Sequence, residues 1–183
     1  KKKSSIKKVE HTFSLKVSEL LFKLKSIKND YLGFGMIPNL ENVFIKNLFN
    51  TFSTYINHDQ FFPFNLKINS DDRGSFIETM KLNSGGQISF STTLPGIRRG
   101  EHFHTHKAER FAVIKGKAKI EIRRIGKEEK YTFYLDGKTP SFVDMPIWHT
   151  HNITNIGDEE LYTLFWTNEL YDPKDPDTYY KAV

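Results

Sequence analysis

With 183 residues, 38% of them hydrophobic and sixteen of them Phe, the chain is long enough for one full domain plus an appended piece around a sizeable core. It has no cysteine, which excludes disulfides and thiolate metal sites, so any metal must be held by His and carboxylate. The net charge of +5 is uneven: nine lysines against Glu10 and Glu19 give residues 1–28 a charge of +7, and the remainder, with 18 basic and 20 acidic side chains, carries −2. Lys1, Lys2, Lys3, Lys7 and Lys8 therefore read as a solvated tail, and no nucleic-acid partner is expected. No apolar run approaches the roughly 20 residues that cross a bilayer. The basic start also lacks the apolar stretch and cleavage site of a signal peptide. A cytoplasmic protein without membrane insertion is expected.

Residues 1–60 read as a helical extension. Val17, Leu20, Leu21, Leu24 and Ile27 recur at three- and four-residue steps, which predicts a helix over about 14–28. Gly33, Gly35 and Pro38 interrupt it. A second helix is expected from an Asn39 cap, with Leu40, Val43, Phe44, Leu48, Phe52 and Tyr55 as its apolar stripe. Two helices alone make no domain, so they are expected to pack on the rest of the chain or on another subunit. From residue 65 to 183 the texture changes to β segments at 76–82, 87–94, 110–125, 130–135, 141–145 and 161–166. Gly85-Gly86, Pro95-Gly96, Gly116, Gly126 and Asp136-Gly137 punctuate them, as does the turn from Asn155 to Gly157. Short strands without intervening helices predict a mainly β fold, a sandwich or barrel. No phosphate-cradling glycine fingerprint is present, so NADP is not expected on this chain alone.

The chemistry is concentrated in two clusters. The first has Gly96, five residues, His102-x-His104, four residues, Glu109, six residues and Gly116. On a strand, His102 and His104 fall on one side, because side chains alternate with period two. Glu109 can return to the same point if the chain turns. His106 is in phase with both and is a candidate to line the cavity or replace a ligand. Such donors suit a divalent transition metal with open positions for water or substrate. The second cluster has Gly137, Pro146, Trp148, His151 and Asn155.

These two clusters resemble the two motifs of the cupins. That resemblance implies a double-stranded β-helix (jelly-roll) barrel with His102, His104, Glu109 and His151 as metal ligands. The sequence departs from the pattern at Trp148, which stands where a turn glycine is usual. A closer resemblance spans most of the chain. Ser91-Thr92-Thr93-Leu94-Pro95-Gly96, Arg99-Gly100 through Lys107, Glu109 and Phe111, Phe165-Trp166, Asn168-Glu169 and Asp172-Pro173 are similar to the C-terminal cupin domain of CapF-type enzymes. So is Asp175-Pro176-Asp177-Thr178-Tyr179. Residues 12–58 resemble the last helices of the short-chain reductase half of those bifunctional enzymes.

The resemblance implies epimerisation at C3 of a UDP-4-keto-6-deoxy-N-acetylhexosamine for capsule or O-antigen sugars, with zinc as the metal. It also implies a homodimer paired through a β face, and a reductase domain or subunit as a possible partner. Asp71-x-Arg73-Gly74-x-Phe76-x-Glu78, Gln87-x-Ser89 and Arg99-Gly100-x-His102 are similar to dTDP-sugar 3,5-epimerases and 3,4-ketoisomerases. In the epimerases among these the matching His is a metal-free base, so His102 has two readings, ligand or base.

Removing a C3 proton next to a C4 ketone requires a base, an acid and stabilisation of the developing oxyanion. His106, Lys107, Glu78 and Tyr134 are the candidates for proton transfer. Arg73 and Arg99 are candidates for gripping a diphosphate through planar guanidinium groups, with pairing of Arg73 to Asp71 or Asp72 as the structural alternative. Gln87 and Ser89 share a strand face and can reach sugar hydroxyls; Trp148 can stack on uracil or close the mouth. The rival readings are a sugar-binding or reductase-docking module without catalysis, a nucleotide-sugar 3,4-ketoisomerase, and a dioxygenase-type metal oxidoreductase.

Overall fold

Two amphipathic helices begin the computed structural model, which describes residues 6–8 and 10–183; Lys1, Lys2 and Lys3 of the expected tail lie outside the described residues. Helix α1 (Val17–Lys28) starts where Glu19 reaches back to accept from the Lys16 amide at 3.2 Å, pairing a donor that a helix start otherwise leaves free. It runs into a π-helical turn, Asn29–Gly33. Strand β1 (Met36–Ile37) then pairs in parallel with residues 81 and 82, and the Asn83 amide donates to Ile37 O at 2.8 Å. Helices α2 (Val43–Thr54) and α3 (His58–Phe61) come next.

The cap of α2 is Asn42 rather than the expected Asn39. Asn42 Oδ1 accepts from the amides of Phe44 and Ile45 at 2.9 and 3.2 Å. Asn39 is used one turn earlier, where its Oδ1 accepts from Glu41 N at 3.0 Å. Phe13 stacks on Phe44 at 4.3 Å between centroids, Tyr31 meets Phe49 edge-on at 5.1 Å, and Ile27 is buried. The outer faces stay uncovered, with Val17 83%, Phe22 74%, Val43 64% and Tyr55 84% exposed.

The barrel consists of β2 (Ile68–Asp71), β3 (Gly74–Leu82), β4 (Gln87–Thr93), β5 (Arg98–Phe103), β6 (Glu109–Lys115), β7 (Lys117–Arg124), β8 (Lys130–Asp136), β9 (Ser141–Met145), β10 (His149–Asn155), β11 (Leu161–Thr167) and β12 (Tyr179–Tyr180). One sheet runs β1-β3-β4-β11-β6-β9 with β2 also on β3; the other runs β12-β5-β10-β7-β8. The expected 110–125 strand is two strands that turn at Gly116 (φ +83) and so join the two sheets. Strand β10, HTHNITN, escapes prediction because it has little apolar content; it is nevertheless a central strand between β5 and β7.

Between the sheets Val113, Ile120, Met145, Ile153 and Leu161 are all but fully buried, with Phe111, Ile122 and Leu135 around them. Each such side chain contributes about 1.5–3 kcal/mol relative to exposure. Strand β4 inverts the usual pattern. Its buried positions are polar (Gln87, Ser89, Ser91, Thr93), while Ile88 and Phe90 face outward. The barrel thus has an apolar half, against β7 and β10, and a polar half along β4.

Candidate metal centre

A bulge sets the first two ligands. His102 pairs with His151 and Gly100 with Asn152, so Glu101 (φ 64) is the extra residue on β5. Gly100 allows this close crossing: it sits at φ +101, and a Cβ there would lie 2.6 Å from His151 O. His104 comes just after the end of β5, Glu109 opens β6, and His151 is the third residue of β10. Three chain segments, β5 with its next residue, β6 and β10, therefore converge on one interior point.

One ligand-capable atom from each of His102, His104, Glu109 and His151 lies within 4.8 Å of the others. Glu109 Oε2 is 3.2 Å from His104 Nε2 and 3.1 Å from His151 Nε2. All three atoms are buried, yet none has a hydrogen bond of acceptable geometry. Buried polar atoms are rarely left so. The remote nitrogens explain the arrangement. His104 Nδ1 meets the Asp177 carbonyl and His151 Nδ1 the His149 carbonyl, the latter at 3.2 Å. A carbonyl can only accept, so each Nδ1 carries a proton, and in the neutral ring Nε2 is the nitrogen left to present a lone pair inward. Burial, reinforced by His151, pushes His102 down to about 4, which keeps it neutral at neutral pH. Imidazoles around one carboxylate, with their Nε2 atoms aimed at a common point and no other partner, fit a divalent transition metal.

The centre adjoins a cleft of about 1050 Å³ between barrel and helical extension, lined by Glu78, Gln87, Lys107 and Glu109 on one side and by Tyr31, Phe61 and Phe64 on the other. Lys107 is buried, and its Nζ donates to Pro176 O at 2.7 Å. Glu78 pairs with Lys81 at 2.7 Å. Gln87 and Ser89 both face inward, with Gln87 Oε1 accepting from the Tyr171 amide at 3.1 Å. His106 is diverted from the centre, its Nδ1 2.8 Å from Glu169 Oε2, and that pairing raises its pKa.

The structure does not bring Tyr134 to the site: it is 72% exposed on β8, opposite Lys119. Arg73 and Arg99 converge on Asp71 instead of lining the cleft. Arg73 holds Asp71 at 2.5 Å, and Arg99 donates to Thr93 Oγ1 and Thr92 O, both at 3.2 Å. Trp148 adopts φ 60, the left-handed shape a turn glycine would take, fixed by bonds from its amide to His104 O and from the Ile125 amide to its carbonyl. It stacks on Phe103, which stacks on Tyr179. Asp177 escaped functional assignment, because its 73-residue separation from His104 gives no local signal.

The two sheets and the clustered histidines define a cupin barrel, and solved structures agree. A Bacillus subtilis oxalate decarboxylase variant shares the fold at TM-score 0.54 and 18% identity, covering 63% of this chain and 30% of that one. Residues 69–179 match the family model described as polysaccharide biosynthesis C-terminal domain, and the chain belongs to that family. The capsular polysaccharide assembling protein CapF of Staphylococcus aureus superposes with TM-score 0.76 at 39% identity, over 91% of this chain and 44% of that one. A structure of CapF with the inhibitor 3-isopropenyl-tropolone gives TM-score 0.81 at 38% identity, over 93% of this chain and 49% of that one. A Pseudomonas aeruginosa UDP-2-acetamido-2,6-beta-L-arabino-hexul-4-ose reductase is 34% identical over 96% of this chain. This chain spans 46% of that relative's length. A probable low-salt glycan biosynthesis epimerase of Haloferax volcanii is 26% identical over 61% of this chain and 80% of its own length. By name, these relatives belong to polysaccharide, UDP-sugar and glycan biosynthesis. No helix among the described residues is long and apolar enough to cross a membrane.

Proposed function

We propose that the chain is a metal-dependent epimerase acting at C3 of a UDP-4-keto-6-deoxy-N-acetylhexosamine in capsule or O-antigen sugar biosynthesis. One observation carries this reading: three buried side-chain atoms without hydrogen-bond partners, on His104, Glu109 and His151, meet beside a cleft of sugar-nucleotide size. His102, His104, Glu109 and His151 would hold the ion, with zinc the choice that the family resemblance implies. When bound, a divalent metal supplies Lewis acidity toward negative charge developing on oxygen.

The remaining work falls to the chain's own side chains. The C4 ketone acidifies the C3 hydrogen. Glu78, a carboxylate on the cleft wall, accepts that proton, and the C–H electron pair moves into the enolate. Lys107, whose Nζ already donates at the cleft edge, returns a proton to C3 from the other face. Nothing is oxidised or reduced overall. Lys67 and Lys81 on the cleft wall supply positive charge for the diphosphate. Arg73 and Arg99 would have to leave Asp71, Thr92 and Thr93 to reach it. Gln87 meets sugar hydroxyls from the polar half of the barrel.

The test is NMR in D₂O with UDP-4-keto-6-deoxy-HexNAc. Deuterium should enter C3 with the wild-type protein and not after Glu78→Gln, whereas Lys107→Met should keep exchange but lose inversion at C3; exchange that survives loss of the metal ligands sinks the proposal. A second reading, docking of a reductase domain on the helical extension, is favoured by the exposed Val17, Phe22, Val43 and Tyr55. Tight reductase binding without C3 exchange would select it.

A further inference from the structure

We propose that Asp177 is the positioning residue of this metal centre, clamping His104 by its backbone carbonyl and the loop between His104 and Glu109 by its carboxylate; the idea rests on the four-residue centre proposed to hold the ion. Asp177 lies in the segment after β11 and is 2% exposed. Its Oδ1 accepts from Thr105 N at 2.9 Å and Thr105 Oγ1 at 2.7 Å. Its Oδ2 accepts from the amides of His106 at 2.9 Å and Lys107 at 2.8 Å, with Thr105 N also at 3.1 Å. Three consecutive backbone amides thus point at one carboxylate. They belong to the loop that joins two of the four ligands.

The carbonyl of the same residue accepts from His104 Nδ1–H, which sets the tautomer and turns Nε2 toward Glu109. Both groups face one loop with Asp177 at φ 41, a left-handed conformation that L-residues rarely adopt. The neighbouring Pro176 carbonyl holds Lys107 Nζ, so residues 176–178 fix a ligand and a cleft lysine together.

Asparagine is the discriminating replacement. It is nearly isosteric but loses the charge, and whichever way its amide turns the NH₂ meets an amide donor, either His106 and Lys107 or Thr105, that the carboxylate accepts from. Two readouts separate positioning from bulk stability: the His104 tautomer, from nitrogen-15 NMR of the metal-free protein, and zinc affinity by chelator competition. In wild type His104 should show the Nδ1–H form. D177N should show mixed tautomers and a zinc affinity lower by about 10–100-fold. D175N, altering an exposed neighbour, should change neither. If D177N does not fold, Thr105→Val, which removes a single bond to Oδ1, should move both readouts the same way by less. A folded D177N, or failing that T105V, with wild-type tautomer and affinity overturns the proposal even if its Tm falls. A wild-type protein that binds no zinc removes the metal centre, whereas the tautomer still decides the clamp.

Discussion

His104 and His151 each turn Nε2 inward because a backbone carbonyl holds the other ring nitrogen. Replacing either by Ala removes a ligand and leaves Glu109 facing one imidazole instead of two. We expect H104A and H151A to lose stoichiometric zinc on dialysis, read by elemental analysis; a His151→Ala protein that keeps one equivalent contradicts the ligand assignment. A second residue-scale prediction concerns Asp71. The side-chain hydrogen bond from Arg73, helped by the Arg73 amide, lowers its carboxyl to about 2. A depressed carboxyl stabilises the fold above its unfolded value near about 3.9 and loses that contribution as pH falls toward 2. Both side chains are well exposed, so the effect on stability is small. The titration itself is the readout: Arg73→Ala should return the Asp71 carbon-13 midpoint toward about 3.9. An unmoved midpoint would show that Arg73 is not the cause.

At the scale of elements, the β5–β10 crossing and the loop before β10 depend on two backbone conformations. A Cβ at Gly100 would meet His151 O at 2.6 Å, and backbone cannot yield as a flexible side chain does. Gly100→Ala should push β5 off β10 beneath His102 and His151. Zinc affinity should therefore drop together with Tm, and an unaltered affinity would argue against a shared geometry. Trp148 shows how a bulky residue keeps the usual turn: two backbone bonds hold φ 60, and the indole stacks on Phe103. Trp148→Gly loses the stack and the strain, whereas Trp148→Ala loses only the stack. The Ala variant should be less stable than the Gly variant by about 1 kcal/mol in chemical denaturation. Equal stabilities would mean that the left-handed turn does not persist in solution.

For the whole molecule, the inverted strand β4 links interior to exterior. Polar side chains fill its inner face, so apolar Ile88 and Phe90 look outward. They share that face with Leu164, Trp166, Ile114 and Phe142, each more than a third exposed. The Arg110–Asp144 pair crosses this face, but so many exposed apolar side chains around it fit an association surface. We propose that the expected homodimer forms there, as a self-complementary pairing of identical faces. Light scattering should give a dimer for wild type and a monomer for Leu164→Glu, while a dimeric variant would place the contact elsewhere. The helical extension has a different attachment: β1 adds to β3 by parallel pairing, which fixes the cleft wall to the barrel.

Local chemistry in the chain was enough to mark a sandwich or barrel, its turns and His102, His104 and Glu109, while His151 joined them through the resemblance to the cupin motifs. Glycine spacing, period-two alternation and the absence of cysteine act on neighbours only a few residues apart. Those same short-range signals misplaced the α2 cap, because Asn39 and Asn42 offer the same capping chemistry and only the folded chain uses Asn42 for the Phe44 and Ile45 amides. They also missed β10, whose polar sequence becomes a strand only between two partners. Tertiary structure alone decided the fates of His106, Tyr134 and Arg73, one drawn to Glu169, one left in solvent and one held by Asp71. It alone brought Asp177 to His104, since a contact across 73 residues leaves no periodic trace in the chain and forms only when the two sheets close on each other.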